Sequence, residues 1–207
     1  GSRLAVAGHD VTFVARGAHA AAIREHGLRV LSTNGDLHVR PARLYDPAAD
    51  TEPRDVVLVA VKMYDLAEAA ETIRPLVVAG TAVVPLENGV EAVDILRAAL
   101  GEAAVAGGVA YIGGHIEAPG VIRHVGSMAR LVFGEPSAAG EQTGDGRSRQ
   151  LVALKAACDA AGVDATLADD IEREIWTKFV FLAPFAGITG YARAPIGPIR
   201  DDAGSWS

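Results

Sequence analysis

Apolar positions along the chain fall into short runs of two kinds, strand-like and helix-like, and the two kinds alternate. Residues 11–15 (Val-Thr-Phe-Val-Ala) make a compact β-branched run that predicts a strand, preceded by a helix-compatible stretch at 2–7 and a Gly8-His9-Asp10 turn. Residues 18–26 carry helical spacing and stop at Gly27, a residue suited to a C-cap. Apolar stretches at 28–32 and 37–39 flank Thr33-Asn34-Gly35-Asp36, and Asn-Gly supplies the positive backbone angles of a hairpin turn. Asp55-Val56-Val57-Leu58-Val59-Ala60-Val61 is almost unbroken in its apolarity, the pattern of a parallel strand covered on both faces. A helix interrupted near Pro75 follows at 66–76, then a second buried strand at 81–85, a helix at 92–100 and a strand at 105–110.

Strands that alternate with helices in this way call for an α/β domain with a parallel sheet. From 111 to 133 the pattern changes to short segments punctuated by Gly and Pro, which predicts an antiparallel extension. Residues 135–149 read as an exposed loop, 148–161 as a helix with Ser148 as its cap, and 164–167 as a last strand. The segment 169–185 predicts a longer helix, with Asp169 and Asp170 placed to favour its dipole. A boundary at Ala168 divides the chain into residues 1–168, a Rossmann-like nucleotide-binding domain, and 169–207, the start of a helical second domain.

Composition narrows the function. The 207 residues are 50% hydrophobic and 22% charged, enough for a sizeable core, and the formal net charge of −7 opposes attraction to nucleic acid or an anionic membrane surface. That argues for a small-molecule partner. One cysteine, Cys158, and six scattered histidines supply neither a disulfide framework nor a cysteine metal cluster. Cys158 sits in a helical run and reads as a small buried hydrophobe rather than a nucleophile. No apolar run approaches the ~20 residues of a membrane span, so the chain reads as cytoplasmic.

Three strand ends carry candidate chemistry. Arg16 follows the strand at 11–15, where an acid would take the ribose hydroxyls of NAD and an arginine pairs with the 2′-phosphate of NADP. Taken alone, Arg16 reads more readily as a solvated strand end. Lys62 follows the strand that ends at Val61, and Asn88 lies in Leu86-Glu87-Asn88-Gly89-Val90 after the next one. A cation and an amide converging there can orient a nicotinamide ring and a substrate oxygen. No Gly-x-Gly-x-x-Gly occurs anywhere in the sequence, although a dinucleotide fold needs one between its first strand and first helix. The expectation is therefore that the chain opens inside that first helix, lacking the first strand and glycine loop.

Gly8-His9-Asp10-Val11-Thr12-Phe13-Val14-Ala15-Arg16-Gly17, Val59-Ala60-Val61-Lys62, Leu86-Glu87-Asn88-Gly89-Val90-Glu91 and Trp176-Thr177-Lys178-Phe179 occur in that order. In order and spacing the set resembles the ketopantoate reductase (2-dehydropantoate 2-reductase) family, as do Gly107-Gly108-Val109-Ala110-Tyr111 and Pro119-Gly120-Val121-Ile122-Arg123-His124. The resemblance runs from Gly1 to about Arg200. It implies hydride transfer from NADPH to a 2-oxoacid in pantothenate biosynthesis, with Lys178 protonating the developing alkoxide. It further implies Arg16 as the 2′-phosphate ligand, Lys62 and Asn88 lining the nicotinamide and substrate cleft, and a homodimer as one assembly open to the full-length form. Taken without the resemblance, Lys178 reads as a helix-surface lysine pairing with Glu174.

The departures concern the substrate pocket. Family members acting on ketopantoate carry asparagines where this chain has Leu182, Ala186 and Ile196. Three polar contacts become apolar, which points to a 2-oxoacid less polar than ketopantoate. The family's second acid/base residue lies beyond Ser207, so the chain as given is expected to be incomplete as an enzyme. Two alternatives stand beside the reductase: a non-catalytic or degenerate NADP-binding fragment, and another Rossmann hydroxyacid dehydrogenase.

Overall fold

The computed structural model describes residues 1–136, 145–202 and 204. At its centre lie β5 (Val56–Val59) and β6 (Ala82–Pro85), parallel and in register from Val56 opposite Ala82 to Val59 opposite Pro85. Val83 is bridged in parallel to Val105, which carries the sheet on to β7 (Gly107–Ala118). Strand β6 shows why the segment reads as an unbroken apolar run, since side chains alternate between faces and both faces are covered. Ala82 and Val84 pack with Leu4, Phe133, Leu151 and Leu154, contributed by α1 (Ser2–Val6), the sheet and α5 (Asp145–Ala160). On the other side Val83 packs with Leu66, Ile73 and Leu96 of α3 (Leu66–Ile73) and α4 (Ala92–Leu100). Each large apolar side chain withdrawn from water in these two clusters stabilises the fold by about 1.5–3 kcal/mol. Strand β5 is less enclosed than expected: Val56, Val57 and Leu58 stay half-buried, and β6 is its one ladder partner among the described residues.

Shorter elements flank this core. Strand β1 (Thr12–Phe13) is two residues long, not five, and pairs in parallel with β4 (Arg43–Leu44), a strand that the sequence pattern does not announce. Helix α2 (Gly17–His26) ends on Gly27 at φ 82°, and the hairpin of β2 (Leu28–Leu31) with β3 (Leu37–Val39) turns through Gly35 at φ 99°, both as expected.

The largest correction concerns 111–133. Instead of short segments, β7 and β8 (Val121–Gly134) form one long antiparallel hairpin of 12- and 14-residue strands, turning at Pro119-Gly120. Its interior glycines do not end the strands. At Ile112/Gly113 the register shifts, Gly126 takes φ 76°, and the ladder resumes beyond a bulge. β9 (Asp164–Leu167) adds in parallel to β8, whose opposite end pairs with β2.

Two helices complete the chain. The loop expected over 135–149 falls largely outside the described residues, and α5 already begins at Asp145, so Ser148 lies within that helix rather than at its cap. Helix α6 (Ile171–Ala192) starts on Asp170, whose Oδ1 accepts from the Arg173 backbone N–H at 3.0 Å. It runs through Pro184, seven residues past the expected end at Phe185, and stops at Arg193 in the left-handed region, φ 50°. One proline leaves one intrahelical bond unmade but does not stop the helix, which regains its ladder beyond it. A short α7 (Ile196–Asp201) follows, unanticipated in the sequence.

Candidate active site

Arg16, Lys62 and Asn88 lie beyond the C-terminal ends of β1, β5 and β6 respectively, and all three are exposed. In an open α/β sheet that edge is where ligands bind. Arg16 donates to Glu68 Oε1 at 2.6 Å and approaches Asp65 Oδ2 at 3.7 Å. Because Asp65 and Glu68 follow Lys62 at the start of α3, this contact ties the end of β1 to the end of β5.

The fold brings Asn88 together with Lys178. The Lys178 ammonium donates to Asn88 Oδ1 at 2.8 Å and to the Ala110 carbonyl at 2.7 Å, and sits 5.7 Å from the centre of the Tyr111 ring. It therefore turns inward to the sheet edge and does not form the surface pair with Glu174. Packing explains how α6 reaches so close. A Cβ on Gly107 would lie 2.7 Å from Ile171 Cγ1, and one on Gly108 would lie 2.3 Å from the Pro85 carbonyl oxygen. Only bare backbone at these positions lets α6 settle on β7 and β7 on β6. Ile171 then packs on Val109 and Val132, with Ile175 beside them, and Lys178 comes to rest over Ala110. Burial lowers the pKa of the Lys178 ammonium from the ordinary lysine value, since desolvation disfavours its charged form. The Tyr111 phenol is raised by burial and then by the Glu174 charge, so it stays neutral near neutrality.

Sequence reasoning passed over Glu87, although it lies inside the quoted motif. It is buried at 8% exposure; its Oε1 accepts from the Val61 N–H at 3.1 Å and its Oε2 from the Leu86 N–H at 3.0 Å. Burial raises its carboxyl pKa, opposed by backbone hydrogen bonds from its own N–H and then from Val61 and Leu86. An acidic residue at a strand end adjoining an apolar run was the available signal, but a solvated end gives the same pattern.

The remaining residues are placed without being joined to the lysine. Leu182 and Ala186 follow Lys178 at one-turn intervals along the same side of α6, half-buried and exposed respectively, while Ile196 stands on α7. Cys158 is 1% exposed within the core, with its thiol pKa raised by burial, as suits a packing residue. Among the described residues no group of His, Cys, Asp and Glu is arranged to hold a metal, and no helix is long and apolar enough to cross a membrane.

A parallel core sheathed by helices on both faces, with polar residues collected at the C-terminal strand edge, defines a Rossmann-like nucleotide-binding fold. The chain belongs to the family described as ketopantoate reductase PanE/ApbA, a family of oxidoreductases, whose model matches residues 1–138. It is 34% identical over 219 residues to a 2-dehydropantoate 2-reductase of Mesorhizobium japonicum, covering 94% of this chain and 64% of that protein. An uncharacterized oxidoreductase of Bacillus subtilis, YkpB, is 33% identical over 199 residues, covering 96% of this chain and 63% of that one. The solved 2-dehydropantoate 2-reductase of Geobacter metallireducens superposes with a TM-score of 0.85 at 32% identity, over 98% of this chain and 64% of that one. A D-mandelate dehydrogenase solved with NADH and anilino(oxo)acetate shares the fold at a TM-score of 0.82 and 19% identity, over 98% of this chain and 63% of that one. The chain thus spans 63–64% of the length of these relatives.

Proposed function

We propose that the full-length protein is a cytoplasmic, NADPH-dependent reductase of 2-oxoacids, with Lys178 as the proton donor. The observation that carries this reading is the Lys178 ammonium, half-buried and held by two neutral oxygens, Asn88 Oδ1 and Ala110 O. An ammonium has three N–H donors, and these two acceptors engage two of them, leaving one for a substrate carbonyl oxygen. No carboxylate neutralises it among the described ion pairs, so its charge is available to the oxygen on which negative charge develops. Lowering of its pKa by burial eases release of the proton to that oxygen.

The residues present fit a nicotinamide dinucleotide at two places. Arg16 offers an exposed guanidinium for the adenosine 2′-phosphate, and Lys62 with Asn88 flanks the edge where the nicotinamide end would lie. When bound, the cofactor supplies the hydride. By the sequence resemblance Leu182, Ala186 and Ile196 match positions that are asparagines in family members acting on ketopantoate, which favours substrates with apolar chains.

The test is NADPH oxidation by the full-length protein across a panel of 2-oxoacids. Apolar-chain 2-oxoacids should be turned over with kcat/KM above that for ketopantoate. Ketopantoate as the best substrate contradicts the pocket assignment, and turnover of no 2-oxoacid removes the reductase reading in favour of a cofactor-binding module.

A further inference from the structure

We infer that Glu87 is a positioning residue: buried between the segments that follow β5 and β6, it ties the Lys62 segment to the Asn88 segment and so fixes the amide that holds the Lys178 ammonium. The inference rests on the proposed role of Lys178 and assigns the part of the site beneath it.

The geometry is specific. An ionised carboxylate is an acceptor on both oxygens, and besides its own N–H Glu87 is faced by backbone N–H groups of two different strand ends: Val61, immediately before Lys62, and Leu86, two residues before Asn88. The Leu86 N–H has a second acceptor in the Val59 carbonyl at 2.8 Å, so the bond that depends on Glu87 is the one to Val61. A buried carboxylate without a cationic partner is costly, and no ion pair involves Glu87 among the described residues. A satisfied joint between two β-strand ends does not need a charge. Its placement makes sense where two segments must hold a fixed relation, and Asn88, the residue directly after it, is the one whose side chain reaches Lys178 at 2.8 Å. A small cleft beside Glu87 is lined by Pro85, Gly89, Val90, Gly108 and Ile175.

The experiment compares Glu87→Ala, Glu87→Gln, Asn88→Ala and the Glu87→Ala/Asn88→Ala double variant in the full-length protein. Glu87→Ala should lower kcat roughly ten- to a hundredfold, the scale of a small misplacement of a reacting group, with KM for the 2-oxoacid changed far less. Glu87→Gln, which keeps the volume and one acceptor, should fall between it and wild type, and it carries the test should the alanine variant not fold. Acting through Asn88, the double variant should be no slower than Asn88→Ala alone, where independent effects would multiply. A readout separate from turnover is competitive acetylation of the ligand-free protein, mapped by mass spectrometry with Lys155 as internal reference. Labelling of Lys178 should rise severalfold in the Glu87 variants. Multiplying losses in kcat, or Lys178 labelling equal to wild type in both Glu87 variants, overturns the inference. A wild type that reduces no 2-oxoacid ends the reductase reading, while the labelling comparison still decides the role of Glu87.

Discussion

Arg16 is held by Glu68 and Asp65, with more than half of its side chain exposed. Exposed ion pairs are worth only about 0–1 kcal/mol, whereas hydrogen bonds to a charged group contribute about 1.5–3 kcal/mol, so under the proposed NADPH reading a cofactor phosphate would prevail over the two acids. Arg16→Ala should therefore weaken NADPH binding about tenfold or more while changing NADH little, as read by fluorescence titration of the full-length protein; equal weakening of both removes the 2′-phosphate assignment. Lys178 makes a second prediction at this scale. A proton donor works while protonated, and burial has lowered its pKa, so kcat should fall along an alkaline limb that begins below the ordinary lysine value of 10.5. The limb should be absent from Lys178→Ala, and a limb at or above 10.5 contradicts the assignment. Arg16, Lys62, Asn88 and Lys178 were all legible as candidates because each stands in a motif or at a strand end. The Lys178–Asn88 bond was not legible, since it spans 90 positions and depends on how closely α6 approaches the sheet.

That approach belongs to the elements. The glycine pair Gly107-Gly108 opens β7 where a Cβ would strike Ile171 on one side and the Pro85 carbonyl on the other. Rigid backbone cannot yield to a 2.3 Å contact, so Gly108→Ala should cost at least the ~1–3 kcal/mol typical of overpacking, measured by chemical denaturation. A variant as stable as wild type means that β6 and β7 are not so closely apposed. Elements built on local periodicity read out well from the sequence: α2 with its Gly27 cap, the Asn-Gly hairpin, α4, and the parallel pair β5–β6. The long β7–β8 hairpin did not, because Gly113 and Gly126 read as strand breakers, while the fold uses them at a bulge within a continuous ladder. Strand β4 was missed for a different reason, since a two-residue strand has no periodicity and owes its existence to its partner β1.

Across the whole molecule, cores cover both faces of β6 and leave the strand ends for the candidate site. The long hairpin carries the sheet outward to β9 and to β2, while α6 crosses back to bring its lysine to the edge of β6. The family was legible from ordered motifs, each weak alone, and the match over residues 1–138 takes in all of them but Trp176-Thr177-Lys178-Phe179. Leu182, Ala186 and Ile196 were legible only as departures from a pattern, and their joint effect on substrate choice depends on surroundings that the sequence pattern does not specify. The measurement that tests the account most directly compares wild type with Lys178→Ala in the full-length protein, following NADPH oxidation with the preferred 2-oxoacid and NADPH affinity in parallel. A group that acts on charge developing in the transition state should lower kcat about 10²–10⁴-fold when removed and leave cofactor affinity nearly unchanged. A lysine variant as fast as wild type, or one that loses its NADPH affinity in proportion to its rate, contradicts it.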